Sequence, residues 1–262
     1  MFAAVATRIE GRENDDLLTK YGFRGFPSLA ILDASGKALV KGFKRDLGSM
    51  KAATEKSEKF LSMRAKVDSG EKYDHKAWFY AQLDLDQMTA DEARGCAVAL
   101  GLEGDEAKAV DSRILSLEIG EMMAKTEADH GAKVYKWFKA GRRLKAGSPK
   151  AQDDFYKAEV VSGAMKNNDA EAYKFGASAV RKSHERQLQQ DRGILPRVEP
   201  ARKRFADNPK ILAQIDKDVK MFKARIKRLE KALAAMDEFE RRIAVRIHGP
   251  SSAMVLRRSC SR

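Results

Sequence analysis

The strongest constraint on this chain lies near its end. Ile215, Val219, Phe222, Ile226, Leu229, Leu233 and Met236 follow one another at spacings of 4, 3, 4, 3, 4 and 3. That alternation places all seven on one seam of an α-helix, at heptad a and d positions, sustained for three repeats. Asn208-Pro209 supplies an N-cap and a proline at the first helical position, and Gly249-Pro250 ends the run. At about 1.5 Å per residue, a helix over 209–247 is roughly 55 Å long. A compact domain does not cover such a rod on every side, so the seam must lie along a partner: an earlier helix of this chain or a second copy.

Back to residue 67 the sequence also reads as helix. Apolar residues recur at three and four in Trp78, Leu83, Leu85 and Met88, then in Ala93, Cys96, Ala97 and Leu100. Thr89 with Glu92 makes a capping box before the second stretch, and Gly101 stops it. Periodicity predicts further helices over Glu103–Met123, Ala132–Ala140, Ala151–Met165 and Asp169–Gln190, the last two turning at 166–168. The Gly, Lys and Arg of Lys139–Pro149 mark a linker. Such hairpins bury their inner faces only against neighbours, as in a tetratricopeptide-like array, although the specific repeat signature is absent.

The first 66 residues carry a different pattern. Ser28–Leu32 and Lys37–Phe43 are short apolar runs separated by the polar turn Asp33-Ala-Ser-Gly36, which predicts a β-hairpin. Asn14 or Asp15 caps a short helix stopped by Gly22, and Asp46–Met63 reads as another helix. The expected class is α+β, predominantly α. The expected organisation is a first domain over 1–66, a helical region over 67–138, a linker over 139–150, a helical hairpin plus long helix over 151–247, and a disordered tail over 248–262.

Charge is uneven. The chain carries +13, and from Arg181 to Arg262 there are 22 Lys and Arg against 10 Asp and Glu, a net +12. Such a bias recruits nucleic acid, anionic lipid or an acidic protein, or marks a solvated helix face. The solvated face is preferred here, and nucleic acid is disfavoured as a partner. No apolar run approaches the about 18 residues of a membrane span, and Met1–Glu10 lacks the regions of a signal peptide. The compartment is left open: cytoplasmic by default, extracytoplasmic if a segment precedes Met1.

His75, His130, His184 and His248 are scattered, and Gly22-Phe-Arg-Gly25 lacks the Gly-Lys-Ser/Thr ending of a phosphate loop, so neither metal nor cofactor is expected. The Trp78-Phe-Tyr80 and Tyr135-Lys-Trp-Phe138 aromatics read as core. Cys96 reads as a buried helical cysteine and Cys260 as an exposed thiol in the tail.

Within the first domain, Tyr21-Gly-Phe23, Arg24-Gly-Phe-Pro27 and Asp33-Ala-Ser-Gly-Lys37 occur in that order. Residues 14–45 thereby resemble the distal half of the thioredoxin family, and the match reaches 63 if Asp46–Met63 is that family's last helix. The resemblance implies that Pro27 is the cis-proline beside the active-site cysteines and that Gly25, Phe26 and Pro27 hold an extended peptide. Proline lowers the cost of a cis bond to roughly 0.5–1 kcal/mol, against about 3 elsewhere.

Thiol–disulfide exchange needs a thiolate of lowered pKa and a resolving thiol in reach, which the family places in Cys-x-x-Cys. No such motif occurs in these 262 residues, so no catalytic residue is expected. The family spacing would set the motif about 40 residues before Pro27, upstream of Met1, as in a truncated or degenerate relative. The leading expectation is therefore a thioredoxin-like protein, redox-inactive as it stands. The alternative is a helical adaptor that works through the basic heptad helix, by a partner helix or self-association. Nucleic-acid binding through the basic terminal third is the weaker alternative.

Overall fold

Among the described residues, strand structure is confined to the hairpin that the turn residues specify. β1 (Ala30–Leu32) and β2 (Ala38–Lys41) run antiparallel, with Ala30 opposite Lys41, Ile31 opposite Val40 and Leu32 opposite Ala38. Leu39 is therefore the extra residue of a β-bulge, and it is buried. The computed structural model describes residues 20–23, 28–125 and 130–248. Of these, 74% are helical, and the described chain is predominantly α with one small antiparallel sheet. Two compact units divide it after Glu118.

In the first unit, α1 (Leu47–Asp68) follows the hairpin and is capped by Asp46, whose carboxylate accepts from the Ser49 amide at 2.8 Å. It continues past Met63 because Arg64-Ala-Lys-Val67 are competent helix residues, and it stops at Ser69-Gly70, where Gly70 has φ +73°. Phe60 of α1 packs with Leu39 and Leu85, and Trp78 stacks on it with ring centres 5.1 Å apart. α2 (His75–Asp84) starts at Asp74, α3 (Ala90–Ala99) starts at the Thr89–Glu92 capping box, and α4 (Gly104–Ala124) follows. Phe79, Leu83, Met88, Ala93, Val110 and Ile114 make the core among these helices. Cys96 is half-buried at the edge of that core, more exposed than its apolar neighbours suggest, because it sits on the flank of α3 beside the buried Ala93.

The second unit begins in the last turns of α4. It comprises α5 (Gly131–Lys139), α6 (Lys150–Lys166), α7 (Ala170–Ile194), a 3-10 turn (Leu195–Arg197), α8 (Val198–Arg204) and α9 (Pro209–His248). Neighbours in sequence are neighbours in space, α5 on α6 and α6 on α7. α7 outruns its expected end by four residues because Asp191, a residue that reads as a break, is fully buried and bonded to Arg225.

The partner of the heptad seam is α7, which α9 meets antiparallel: Tyr173 donates to Glu240 at 2.8 Å, Arg181 pairs with Asp237 at 2.7 Å, and Arg192 pairs with Glu230 at 2.6 Å. Leu229, Met236 and the adjacent Phe239 are buried, whereas Ile215, Val219, Phe222, Ile226 and Leu233 are half-buried. The 40-residue α9 is longer than the 25-residue α7, and in its early turns Asp216 pairs with Arg202 of α8.

Candidate functional site

Gly25, Phe26 and Pro27, the residues that the resemblance assigns to peptide binding, lie outside the described residues. Their frame is described on both sides. Upstream, the Tyr21 hydroxyl donates to the Gly36 carbonyl at 2.9 Å, which ties the end of the incoming segment to the hairpin turn. Downstream, the Gly42 amide donates to the Leu29 carbonyl at 3.0 Å and closes the hairpin at its open end.

The turn is set by Asp33. Its Oδ1 accepts from the Ser35 amide at 2.9 Å, the Ser35 hydroxyl at 2.6 Å and the Lys37 amide at 3.0 Å, while its Oδ2 accepts from Arg64 of α1 at 3.1 Å. Gly36 takes φ +80°, a conformation that costs a side-chain-bearing residue roughly 1 kcal/mol or more. One carboxylate therefore holds the turn and fastens it to the helix behind it.

The Ser35 hydroxyl, the Lys37 and Ser35 amides and Arg64 hold the Asp33 carboxyl below its ordinary value of 3.8. Because the folded-state value is the lower one, the clamp stabilises the hairpin fully above the unfolded value and is lost as pH falls through the folded one. The Ser35 and Lys37 amide shifts are accordingly expected to titrate together with a midpoint below 3.8, and not to titrate in Asp33→Asn. A midpoint at or above 3.8 would contradict the clamp.

Among the described residues, the site presents backbone and no reactive side chain. Asp33 has its lone pairs engaged. Cys96 lies in α3, and Cys260 lies outside the described residues. The edge of β1 away from β2 is paired by no strand among the described residues, so its amides and carbonyls are the groups an extended chain could meet. No group of three or more His, Cys, Asp or Glu converges among the described residues. No helix there is long and apolar enough to cross a membrane.

Two charged constellations in the second unit gave no signal in the motif reading, because their members lie tens of residues apart. Tyr135 and Lys139 each donate to Asp169 Oδ2 at 2.9 Å, while Asp169 Oδ1 caps α7 through the Ala172 amide at 3.0 Å. Led by that amide, these donors push the carboxyl down to about 2, so it is a fixed anion rather than an acid or base. Asp191 is likewise engaged by Arg225 and Gln187. Both sets lock helices together.

No family model, curated protein or solved structure matches this chain.

Proposed function

We propose that residues 14–63 form the distal half of a thioredoxin-like unit that holds an extended peptide at Gly25, Phe26 and Pro27 without thiol–disulfide exchange, and that the helices beyond it are an interaction extension. The observation that carries this reading is an order of elements: a hairpin turned at Asp33–Gly36, followed at once by a helix whose Phe60 covers the bulged Leu39. That order accompanies the Tyr21-Gly, Arg24-Gly-Phe-Pro27 and Asp33-to-Lys37 residues that carry the resemblance. The edge of β1 that no strand pairs among the described residues supports pairing with peptide backbone, the mode in which main-chain bonds give affinity and neighbouring side chains give selectivity.

Amide NMR of the full chain tests the reading. Titration with an extended ten-residue peptide carrying an alkylated cysteine is expected to shift Leu29 to Leu32, and to shift them less in Phe26→Ala and Pro27→Ala. Unmoved resonances at millimolar peptide would remove the peptide-holding role.

A helical adaptor remains the second reading, and it is favoured where α9 extends past α7. There Ile215, Val219 and Phe222 are half-buried and Met221 is 49% exposed. Light scattering after size exclusion decides its self-associating form, which a monomer independent of concentration would eliminate.

A further inference from the structure

The first half of α9 separates its charges by face. Lys210, Lys217, Lys220, Lys223, Lys227, Arg228 and Lys231 are all exposed. At about 100° per residue they fall within an arc of about 140°, and they extend for about 30 Å along the helix. None of the seven pairs with a carboxylate among the described residues. The acids of the same stretch are engaged elsewhere: Asp216 with Arg202 of α8, Asp218 with Gln214 at 2.7 Å, and Glu230 with Arg192 of α7 at 2.6 Å.

This arrangement is unfavourable for the fold alone. Lys217–Lys220, Lys220–Lys223, Lys223–Lys227, Lys227–Lys231 and Arg228–Lys231 are like-charge neighbours three or four residues apart, and each repels its partner on a helix surface. Lys210, in the first turn, also opposes the helix dipole. An external polyanion relieves both.

We infer that this face binds the phosphate backbone of double-stranded nucleic acid without reading its sequence. Its geometry suits a duplex, which presents about one negative charge per 1.7 Å of axis. Apart from the seven cations, the arc carries only Pro209, Ala213, Ala224 and the ion-paired Asp216. It has no aromatic ring on which unpaired bases could stack, since Phe222 belongs to the half-buried seam, so single strands gain nothing beyond charge. It has no large apolar residue, and the exposed Met221 at its border is a single side chain, too little to seat a helix in a bilayer. Lysines outnumber arginines six to one, which suits point contacts to phosphates rather than the bidentate grip of base readout or the arginine-rich, aromatic-rich core of a protein interface.

Fluorescence anisotropy of a labelled 20-base-pair duplex with the full chain tests this. If four to six phosphates are neutralised, affinity should fall by about a hundredfold to a thousandfold between 50 and 200 mM salt. The quadruple variant Lys217→Gln, Lys220→Gln, Lys227→Gln, Lys231→Gln keeps good helix formers, so circular dichroism should be unchanged while the log–log salt slope falls by about three to four. Three results overturn the inference: no duplex binding at 50 mM salt; binding by the quadruple variant equal to that of the native chain, which would assign it to another basic segment; or tighter binding of phosphatidylserine vesicles or polyglutamate than of the duplex.

Discussion

Gly163→Ala is expected to destabilise the second unit by about 2–3 kcal/mol, the opposite of what alanine normally does inside a helix. Alanine at an exposed helical glycine gains up to about 1 kcal/mol. At Gly163 in α6, however, a Cβ would stand 2.4 Å from Tyr135 Cβ and 2.6 Å from the Gly131 carbonyl oxygen of α5. Neither is the far end of a flexible side chain, so the two helices must move apart and lose packing along the whole contact. Overpacking of this kind costs about 1–3 kcal/mol or more, and here it must also cancel the propensity gain. The expected fall in Tm is roughly 5–10 °C for a unit of this size. Gly193→Ala is the matched control: Gly193 lies in α7 of the same unit, and nothing lies within 4 Å of its hypothetical Cβ. It should raise Tm slightly. Equal, favourable effects at both positions would show that α5 and α6 are not in close contact at Gly163.

Asp191→Ala is expected to cost about 2–4 kcal/mol, because it leaves a guanidinium and an amide without their acceptor inside the α7–α9 contact. Asp191 is fully buried, and it accepts from Arg225 Nε and Nη2 at 2.5 Å each and from Gln187 at 2.9 Å. Arg225 keeps 31% of its side-chain surface, so water offsets part of the loss and the upper end of the range is not expected. Replacing both partners by apolar residues, as in Asp191→Leu with Arg225→Met, should recover most of the stability, since it removes the unpaired charge along with the pair. The pH dependence has a defined sign. The Arg225 hydrogen bonds, followed by that of Gln187, lower the Asp191 carboxyl below 3.8, so its contribution is complete above that value and is lost as pH falls through the lower folded-state value. Chemical denaturation at pH 7 and at steps below 3.8 should show the native chain losing stability relative to the double variant as pH falls. A constant difference would show that the pair does not titrate with folding.

What could be read from the residues alone follows from the range of each interaction. Local signals were legible: the Asp33–Gly36 turn, the Thr89–Glu92 box and the heptad of α9 each rest on spacings of three or four residues, and each appears where its chemistry requires. The Trp78-Phe-Tyr80 aromatics divide as helical spacing dictates, with Phe79 buried, Trp78 stacked on Phe60 and Tyr80 half-buried with its hydroxyl donating to Glu106 at 2.8 Å. Non-local pairings were not legible. The seam required a partner, but nothing in its spacing selected α7 over a second chain, and the ion pairs from Arg181 and Arg192 that accompany it cross 38 to 59 residues.

Gly163 resembles any helical glycine until the opposing Tyr135 is in place. The row from Lys217 to Lys231 was visible as an excess of charge, and it took the engagement of Asp216, Asp218 and Glu230 to show which of those charges remain unpaired. For the proposed peptide loop, proline and glycine at family offsets are the only signal, because the contacts that would define it come from a ligand rather than from the chain.

The central proposal is a thioredoxin-like frame without the chemistry of that family. Its most direct test is the reduction of insulin by dithiothreitol, followed by turbidity, with the full chain and with its Cys96→Ser variant. Both are expected to leave the rate at that of dithiothreitol alone. Acceleration by the native chain would contradict the account.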